Sequence, residues 1–372
     1  MPDKPLHDDG GIQAEDAWLQ SSPFPVTPFA YYRVGFDSKA EHGGMWAAIF
    51  FDQDGRQLDA DHYSGFDAST GWIDNEFCFR AKANAAEARL RFQPPHAAMY
   101  VYDVAVEEVA RSEVAEWADR VYAAMPPLHY SPDPDRWRHL PRTAAALKAM
   151  GPMGQMGQIG PKREPPASGP IGPIGPIGPI GPIGPIRVVM LGDSIVNDTG
   201  NSPYDVLVER MYPGLRLEVV TSVRGGTGCW YYREPGRVKD YVLDFQPDLL
   251  MVGGISHKDD VESIRDVVRQ VRAAMQPDIL VMTGAFGKDQ DPRLVPDWSP
   301  TVDPDGPGYR SRLLRMAGEE GVEFFDLQGP WGSYIGDSDK PYEWFLRDPV
   351  HANGRGHQVL ARILERYFSP KS

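Results

Sequence analysis

The second half of the chain alternates short apolar runs with longer amphipathic stretches, and this alternation constrains the fold more than any other feature. The strand candidates are residues 187–191, 215–221, 248–253, 278–283 and 322–327, and the helix candidates are 203–211, 259–275, 308–320 and 354–368. Continuous apolar strands separated by helices form parallel sheets that are covered on both faces. Residues 187–372 are therefore predicted to form a three-layer α/β/α domain with a parallel sheet.

The first half has a different pattern, in which short aromatic and apolar stretches end at turn signals. Residues 29–36 and 45–51 are strand-like, and the following Asp52-Gln53-Asp54-Gly55 is typical of a turn. Residues 88–92 alternate in polarity, and residues 100–109 form a further strand candidate. Short strands without a helical stretch predict an N-terminal β-sandwich, whose pattern resembles the jelly-roll carbohydrate-binding modules.

These patterns divide the 372 residues into five segments. They are a mobile N-terminus (1–22), the β-sandwich (23–111), a helical connector (112–150), a low-complexity insert (151–186) and the α/β domain (187–372). Within the insert, the triplet Gly-Pro-Ile occurs six times between Gly169 and Ile186. Glycine at every third position is the collagen pattern, but the run is short and has few prolines at the third place of the triplet. We therefore expect a protruding, polyproline-like loop.

A serine stands directly after the first apolar run of the α/β domain. The run Val188-Val189-Met190-Leu191 is followed by Gly192-Asp193-Ser194, which predicts a buried strand that ends at a small turn. Active sites of open parallel sheets lie at the carboxyl ends of the strands. The alternative role of Ser194 is to cap the next helix, because serine is a preferred N-cap residue. Asp348 and His351 stand three residues apart before the last predicted helix, so the chain contains a serine, a base and an acid.

These motifs resemble those of the SGNH, or GDSL-type, hydrolase superfamily, and the resemblance covers about residues 187–368. In that family the serine follows the first strand in a Gly-Asp-Ser motif, and a late Asp-x-x-His motif holds the acid and the base. The resemblance implies a three-layer α/β/α fold and a catalytic triad in which Ser194 is the nucleophile, His351 the general base and Asp348 the residue that orients it.

The resemblance also implies three oxyanion-hole donors. The first is the backbone N–H of Ser194, and the second lies in a glycine block that matches Gly225, with Gly226 as the alternative. The third is an asparagine in a Gly-x-Asn-Asp block, where this chain reads Gly254-Ile255-Ser256-His257. Ser256 stands in the place of the asparagine and is the candidate donor. His257 and Asn197 are the alternatives, and both are candidates for substrate contact.

Aromatic residues flank these motifs, with Trp230 after the glycine block and Trp344 before Asp348. Such side chains can stack on sugar rings, although packing in the core is an equally good interpretation of each one. Trp230 is therefore a candidate substrate-binding residue.

Composition excludes several other classes of function. The net charge of −14 argues against general nucleic-acid binding, and no run approaches the roughly 20 apolar residues of a membrane span. Cys78 and Cys229 are predicted to be free thiols, and no zinc-ligand spacing or nucleotide-binding motif is present, so we expect neither a metal nor another cofactor. Residues 1–5 contain no apolar signal core, which leaves the compartment open between a cytoplasmic protein and one whose signal has been removed.

The sequence thus predicts a metal-independent serine esterase that removes acyl groups, with acetyl favoured, from carbohydrate hydroxyls. The substrate would be a small-molecule or polysaccharide ester. The alternatives are a lipase-like or thioester acylhydrolase with the same triad, and a carbohydrate-binding protein without catalytic activity. The sequence leaves the oligomeric state open.

Overall fold

A computed structural model describes residues 12–14, 18–94, 98–150, 184–254, 260–287, 290–296 and 298–371. These residues form an antiparallel β-sandwich and a parallel α/β unit, so the predicted fold class is confirmed. Most of the predicted insert, up to residue 183, lies outside the described residues. Among those described, no helix is both long enough and apolar enough to cross a membrane.

The sandwich consists of two antiparallel sheets. Its strands are β1 (Ile12–Ala14), β2 (Leu19–Gln20), β3 (Phe24–Pro25), β4 (Tyr31–Ala40), β5 (Gly44–Phe51), β6 (His62–Phe66), β7 (Ser69–Arg80), β8 (Glu87–Gln93) and β9 (Met99–Val109). One sheet has the order β1-β9-β4-β7 and the other the order β2-β8-β5-β6, with β3 also pairing with β8. Side chains from both sheets, including Phe36 and Trp46, form one apolar core. The described part of the sandwich begins before residue 23, because Leu19 and Gln20 of the segment predicted to be mobile pair with β8.

The rest of the described chain contains five strands and ten α-helices. The strands are β10 (Ile186–Gly192), β11 (Leu217–Val223), β12 (Leu249–Val252), β13 (Asp278–Met282) and β14 (Glu323–Phe325). The helices are α1 (Arg111–Ala123), α2 (Pro141–Met150), α3 (Ser194–Asn201), α4 (Tyr204–Glu209), α5 (Cys229–Tyr232), α6 (Arg237–Tyr241), α7 (Val261–Ala274), α8 (Tyr309–Glu320), α9 (Gln328–Asp337) and α10 (Gly354–Tyr367). Ile186, assigned to the insert by the sequence, is the first residue of β10 and pairs with Leu217.

The parallel sheet separates two apolar cores. Val188 and Met190 of β10 belong to one core, whereas Val189 and Leu191 belong to the other, because successive side chains of a strand point to opposite faces. Helices α1, α2, α3, α4, α9 and α10 contribute to the first core, and α5, α6, α7 and α8 contribute to the second. Burial on both faces explains why these strands are continuous apolar runs.

The strand order β11-β10-β12-β13-β14 places a topological switch point beside β10. The chain moves from β10 to β11 on one side, and then to β12 on the other side of β10. In doubly wound sheets of this order, ligands bind at the carboxyl ends of the strands near the switch point. A ligand site is therefore expected among the residues that follow β10, β11 and β12.

A buried charge cluster joins the sandwich to the α/β unit. The carboxylate of Asp205 in α4 contacts Arg80 Nη1 at 2.9 Å and Arg111 Nη2 at 2.5 Å, and it accepts a hydrogen bond from the Tyr31 hydroxyl. Burial raises the pKa of Asp205, but the charges of Arg80 and Arg111 outweigh it and lower that pKa to about 2. The cluster therefore stabilises the folded state fully above the ordinary pKa of 3.8, and this contribution is lost as the pH falls towards about 2.

We expect Asp205→Asn to lower the free energy of unfolding at pH 7 by about 3–5 kcal/mol, because it leaves the buried guanidinium of Arg80 without its counter-ion. The variant should also lose part of the acid dependence of stability below the pH at which free aspartate titrates. Urea unfolding at a series of pH values measures both effects. The control is Asp135→Asn, which removes an exposed ion pair with Arg138 and should cost at most about 1 kcal/mol. Equal losses for the two variants would contradict the prediction.

Candidate active site

The turn after β10 presents Ser194 at the start of helix α3. Asp193 is the N-cap residue of α3, and its carboxylate accepts hydrogen bonds from Ile195 N at 2.9 Å and Val196 N at 3.4 Å. Asp193 thus performs the capping that was the alternative role of Ser194. The Ser194 hydroxyl is left free to contact another part of the chain.

The three residues predicted to form a triad lie together at the carboxyl edge of the sheet. His351 Nε2 is 2.8 Å from Ser194 Oγ, and His351 Nδ1 is 2.9 Å and 2.8 Å from the two carboxylate oxygens of Asp348. An ionised carboxylate can only accept hydrogen bonds, so the proton of a neutral His351 is on Nδ1. Nε2 is then the acceptor that faces the Ser194 hydroxyl.

Asp348 is held as a carboxylate by its own turn. It accepts hydrogen bonds from the backbone N–H groups of Val350 at 2.8 Å and His351 at 2.9 Å. Burial raises the pKa of Asp348, but the hydrogen bonds from the His351 ring and from these two N–H groups lower it to about 2. The spacing of the Asp-x-x-His motif therefore organises the turn as well as the pair of side chains.

The loop that contains the predicted glycine donor is hydrogen-bonded to the turn that presents Ser194. The Gly192 carbonyl accepts hydrogen bonds from Arg224 N at 3.1 Å and from the Tyr232 hydroxyl at 2.6 Å. Gly225 and Gly226 lie between these two contacts, in an exposed turn directly after β11. Gly225 stays a predicted donor, with Gly226 as its alternative.

The backbone N–H of Ser194 belongs to the first turn of α3, where N–H groups have no acceptor within the helix. The positive end of the helix dipole lies at the same place and favours a developing negative charge. Ser256 and His257, the predicted third donor and its neighbour, lie outside the described residues. The identity of a third donor therefore stays a prediction.

Two of the predicted substrate-binding residues are described. Asn197 is buried, and its Nδ2 donates a hydrogen bond to the carbonyl of Asp61 in the sandwich at 2.8 Å. The amide nitrogen of Asn197 is thus used in the contact between the two parts of the protein, whereas its Oδ1 is buried without a hydrogen-bond partner. A contact of Asn197 with substrate stays a prediction. Trp230 is 47% exposed and follows the glycine loop, so it is accessible to a substrate.

Two residues that the sequence analysis missed contact the Asp348–His351 turn. Arg347 precedes Asp348, and its Nη1 is 2.8 Å from Oδ1 of the buried Asp198 in α3. The second oxygen of Asp198 accepts a hydrogen bond from the backbone N–H of Ala352 at 2.9 Å. The sequence signal was a carboxylate four residues after the serine, which becomes informative only once residues 194–201 are known to be helical.

Gly254 follows β12 and packs against the N-cap of α3. Its backbone φ is +120°, and a Cβ at this position would lie 2.4 Å from Asp193 Oδ1. A side chain here would both strain the backbone and displace the carboxylate that caps α3.

In the part of the chain that the structure describes, no group of three or more His, Cys, Asp or Glu residues is arranged to hold a metal ion. Cys78 and Cys229 are buried free thiols, as predicted.

No protein-family model and no curated protein sequence matches the chain. Among solved structures, a two-domain esterase active on acetylated mannans aligns at 16% identity with a TM-score of 0.38, over 50% of this chain and 48% of its own. A gut microbial diltiazem-metabolizing enzyme aligns at 16% identity with a TM-score of 0.35, over 49% of this chain and 46% of its own. A family 16 carbohydrate-binding module aligns at 13% identity with a TM-score of 0.22, over 29% of this chain and 82% of its own. The chain spans about half the length of the first two proteins, and likenesses this low assign neither a family nor an activity to it.

We expect Gly254→Ala to disrupt the turn that presents Ser194. The strained backbone alone should lower the free energy of unfolding by roughly 1–3 kcal/mol. Displacement of Asp193 should also slow the reaction of Ser194 with a fluorophosphonate probe. The control is Gly236→Ala, because Gly236 has a φ of +84° with open space around it. The prediction is contradicted if both variants label as fast as the wild type.

Proposed function

We propose that the protein is a carboxylic ester hydrolase that uses Ser194 as a nucleophile, His351 as a general base and Asp348 as the residue that orients the imidazole. The observation that supports this proposal is the continuous series of contacts from Ser194 Oγ to His351 Nε2 at 2.8 Å and from His351 Nδ1 to Asp348 at 2.8 Å. A serine activated by an adjacent base, which is in turn oriented by a third group, is the arrangement that acyl transfer requires.

In the first step, Ser194 Oγ attacks the ester carbonyl carbon while its proton moves to His351 Nε2. The carbonyl oxygen becomes an oxyanion, which the N–H of Ser194 and the proposed donor Gly225 would stabilise. The tetrahedral intermediate then collapses, and the bond between the carbonyl carbon and the alcohol oxygen breaks. His351 returns the proton to the leaving alcohol, so the products are a free alcohol and an acyl-serine.

In the second step, a water molecule takes the place of the alcohol. His351 Nε2 accepts a proton from the water as its oxygen attacks the acyl carbon. Collapse of the second tetrahedral intermediate breaks the bond to Ser194 Oγ and returns the proton to it. The carboxylate of Asp348 stabilises the imidazolium that forms in both steps, and its lowered pKa keeps it ionised at neutral pH.

We further propose that the substrate is an acylated carbohydrate, with acetyl as the acyl group. A cavity of about 650 Å³ is lined by residues between His129 and His139 and by β14, whereas a different cavity of about 550 Å³ lies beside Asp348. Strand ends and loops of the sandwich form one wall of the second cavity, and residues between Glu343 and Arg355 form the other. Its charged and titratable lining consists of His42, Asp67, Glu343, Arg347, Asp348 and Arg355. Such a lining suits a polar, hydroxyl-rich alcohol better than a long acyl chain.

We expect Ser194→Ala to abolish ester hydrolysis and leave the fold intact, because the hydroxyl is the group that would form the acyl-enzyme. Turnover of p-nitrophenyl acetate and the circular dichroism spectrum measure the two properties. Acetate release from acetylated xylans and pectins, set against p-nitrophenyl esters of increasing chain length, separates a carbohydrate esterase from a lipase-like enzyme. Near-normal turnover by folded Ser194→Ala would reject the nucleophile. Failure of the wild type to react with a fluorophosphonate would favour a binding protein.

We expect Trp344→Ala to raise KM for an acetylated polysaccharide by about 2- to 10-fold, because Trp344 lines the cavity beside Asp348 and would lose a stacking contact with a sugar ring. KM and kcat for p-nitrophenyl acetate should stay unchanged, since this substrate has no sugar to stack. The matched control is Trp72→Ala, which removes a partly exposed tryptophan that packs on Tyr102 in the sandwich. Equal effects on both substrates would argue that Trp344 shapes the Asp348 turn and does not contact a sugar.

A further inference from the structure

We propose that the buried Asp198 is a positioning residue, which fixes the Asp348–His351 turn relative to Ser194 by closing a ring of contacts that begins and ends on helix α3. The ring runs from Ser194 through His351, Asp348 and Arg347 to Asp198. This inference rests on the function proposed above, and it adds a residue that touches none of the reacting atoms.

The Asp348–His351 turn is the tip of a loop whose neck is closed by backbone contacts. Leu346 and Ala352 form an isolated antiparallel bridge, and Arg347 N donates a hydrogen bond to the His351 carbonyl at 2.9 Å. The guanidinium of Arg347 also donates to the Ala352 carbonyl. The loop is therefore rigid in itself, but these contacts do not determine where it lies relative to the nucleophile.

Asp198 supplies the connection between this neck and the nucleophile. One carboxylate oxygen binds Arg347 Nη1 at 2.8 Å on one side of the neck, and the other accepts from Ala352 N at 2.9 Å on the opposite side. Both partners are directly adjacent to the motif, because Arg347 precedes Asp348 and Ala352 follows His351. Asp198 thus holds both ends of the segment that carries the acid and the base.

Helix α3 fixes the distance between this anchor and the nucleophile. Ser194 and Asp198 are four residues apart in α3, which places them on the same side of the helix about 6 Å apart along its axis. Arg347 Nε lies 3.8 Å from Asp348 Oδ2, so the same guanidinium stands between the two carboxylates. The ring from Ser194 to Asp198 therefore consists only of direct contacts and of residues adjacent in sequence.

The pair of Asp198 and Arg347 is almost completely buried, with side-chain exposures of 2% and 5%. Burial raises the pKa of Asp198, but the charge of Arg347 and the neighbouring His357 outweigh it and lower that pKa. His357 Nε2 is 3.6 Å from Asp198 Oδ1, and its ring packs edge-on against His62 of the sandwich. The carboxylate therefore stays ionised and tightly packed, which suits a rigid anchor.

The test is Asp198→Asn, which keeps the size of the side chain but removes the charge that pairs with Arg347. A misplacement of about 1 Å between catalytic groups can cost about 100-fold in rate. We expect kcat on p-nitrophenyl acetate to fall by about 10- to 100-fold with KM unchanged, and the fluorophosphonate labelling of Ser194 to slow in parallel. Thermal denaturation measures the folded fraction of each variant, and kcat is then calculated per folded molecule.

Arg347→Lys and a double variant make the test specific. Arg347→Lys keeps the positive charge but cannot contact Asp198 and the Ala352 carbonyl in the same way, so kcat should fall less than in Arg347→Met. The double variant Asp198→Asn/Arg347→Met should be no slower than the slower single variant, because both changes break the same link. Should Asp198→Asn fail to fold, the two Arg347 variants carry the test.

The matched control is Asp326→Asn, which also removes a largely buried carboxylate paired with arginine. Asp326 follows β14, and its hydrogen bonds are with Arg310, Thr283 and the backbone N–H of Gly329. The variant should lose stability and keep kcat per folded molecule. Wild-type kcat in folded Asp198→Asn and in both Arg347 variants would overturn the inference and leave the proposed function standing. Loss of kcat by the same factor in Asp326→Asn would also overturn it.

A readout that does not need turnover separates this inference from the proposed function. The proton on His351 Nδ1 in its hydrogen bond to Asp348 gives a downfield proton resonance. We expect this resonance to shift or broaden in Asp198→Asn and to stay in place in Asp326→Asn, even if no ester is hydrolysed. An unchanged resonance in Asp198→Asn would show that the loop keeps its place without the carboxylate.

Discussion

The hydrogen bonds that hold helix α3 against the sandwich are the contacts on which the site depends. Residues 194–201 read Ser-Ile-Val-Asn-Asp-Thr-Gly-Asn, and most of these residue types are poor helix formers. An isolated helix of this length would not persist in water. It forms here because Asp193 caps its first turn and because polar groups of the sandwich satisfy its last turn.

These groups converge on one side of α3. The Asp61 carbonyl accepts from the amide nitrogens of both Asn197 and Asn201, and Arg80 donates to the Gly200 carbonyl. Lys82 Nζ lies 2.5 Å from Asn201 Oδ1, and burial together with the nearby charge of Arg80 lowers the pKa of Lys82 to about 7. Polar groups that are taken out of water must be paired, so this face of α3 has few alternative ways to pack. The position of Ser194, the proposed nucleophile, is thereby fixed by a part of the chain far from it in sequence.

The difference between what could and could not be predicted from the sequence follows from this arrangement. The strands of the parallel sheet were predictable because each is a continuous apolar run, and the prediction for 187–191 differs from β10 by one residue at each end. The contacts that join Ser194, His351 and Asp348 could be anticipated because the two motifs that carry these residues are local in sequence. Helix α3 was not predicted, since its propensity is low and its stabilising partners lie more than 100 residues away. Asp198 was missed for the same reason, because its role appears only when α3 and the loop after residue 346 are placed together. The contact of Asn197 with the Asp61 carbonyl was likewise not predictable, because the two residues are far apart in sequence.

The contacts between the sandwich and the α/β unit also indicate the structural role of the sandwich. A carbohydrate-binding module that is merely attached would share few buried groups with its neighbour. Here Tyr31, Ala60 and Cys78 of the sandwich belong to the same apolar core as the strands and helices of the α/β unit. Separation of the two parts would expose this shared core to water and would break the ion pair between Arg80 and Asp205. Because burial of apolar surface is the main favourable contribution to folding, the two parts are expected to fold and unfold together. The sandwich is therefore part of the support of helix α3 and of the proposed active site at its start.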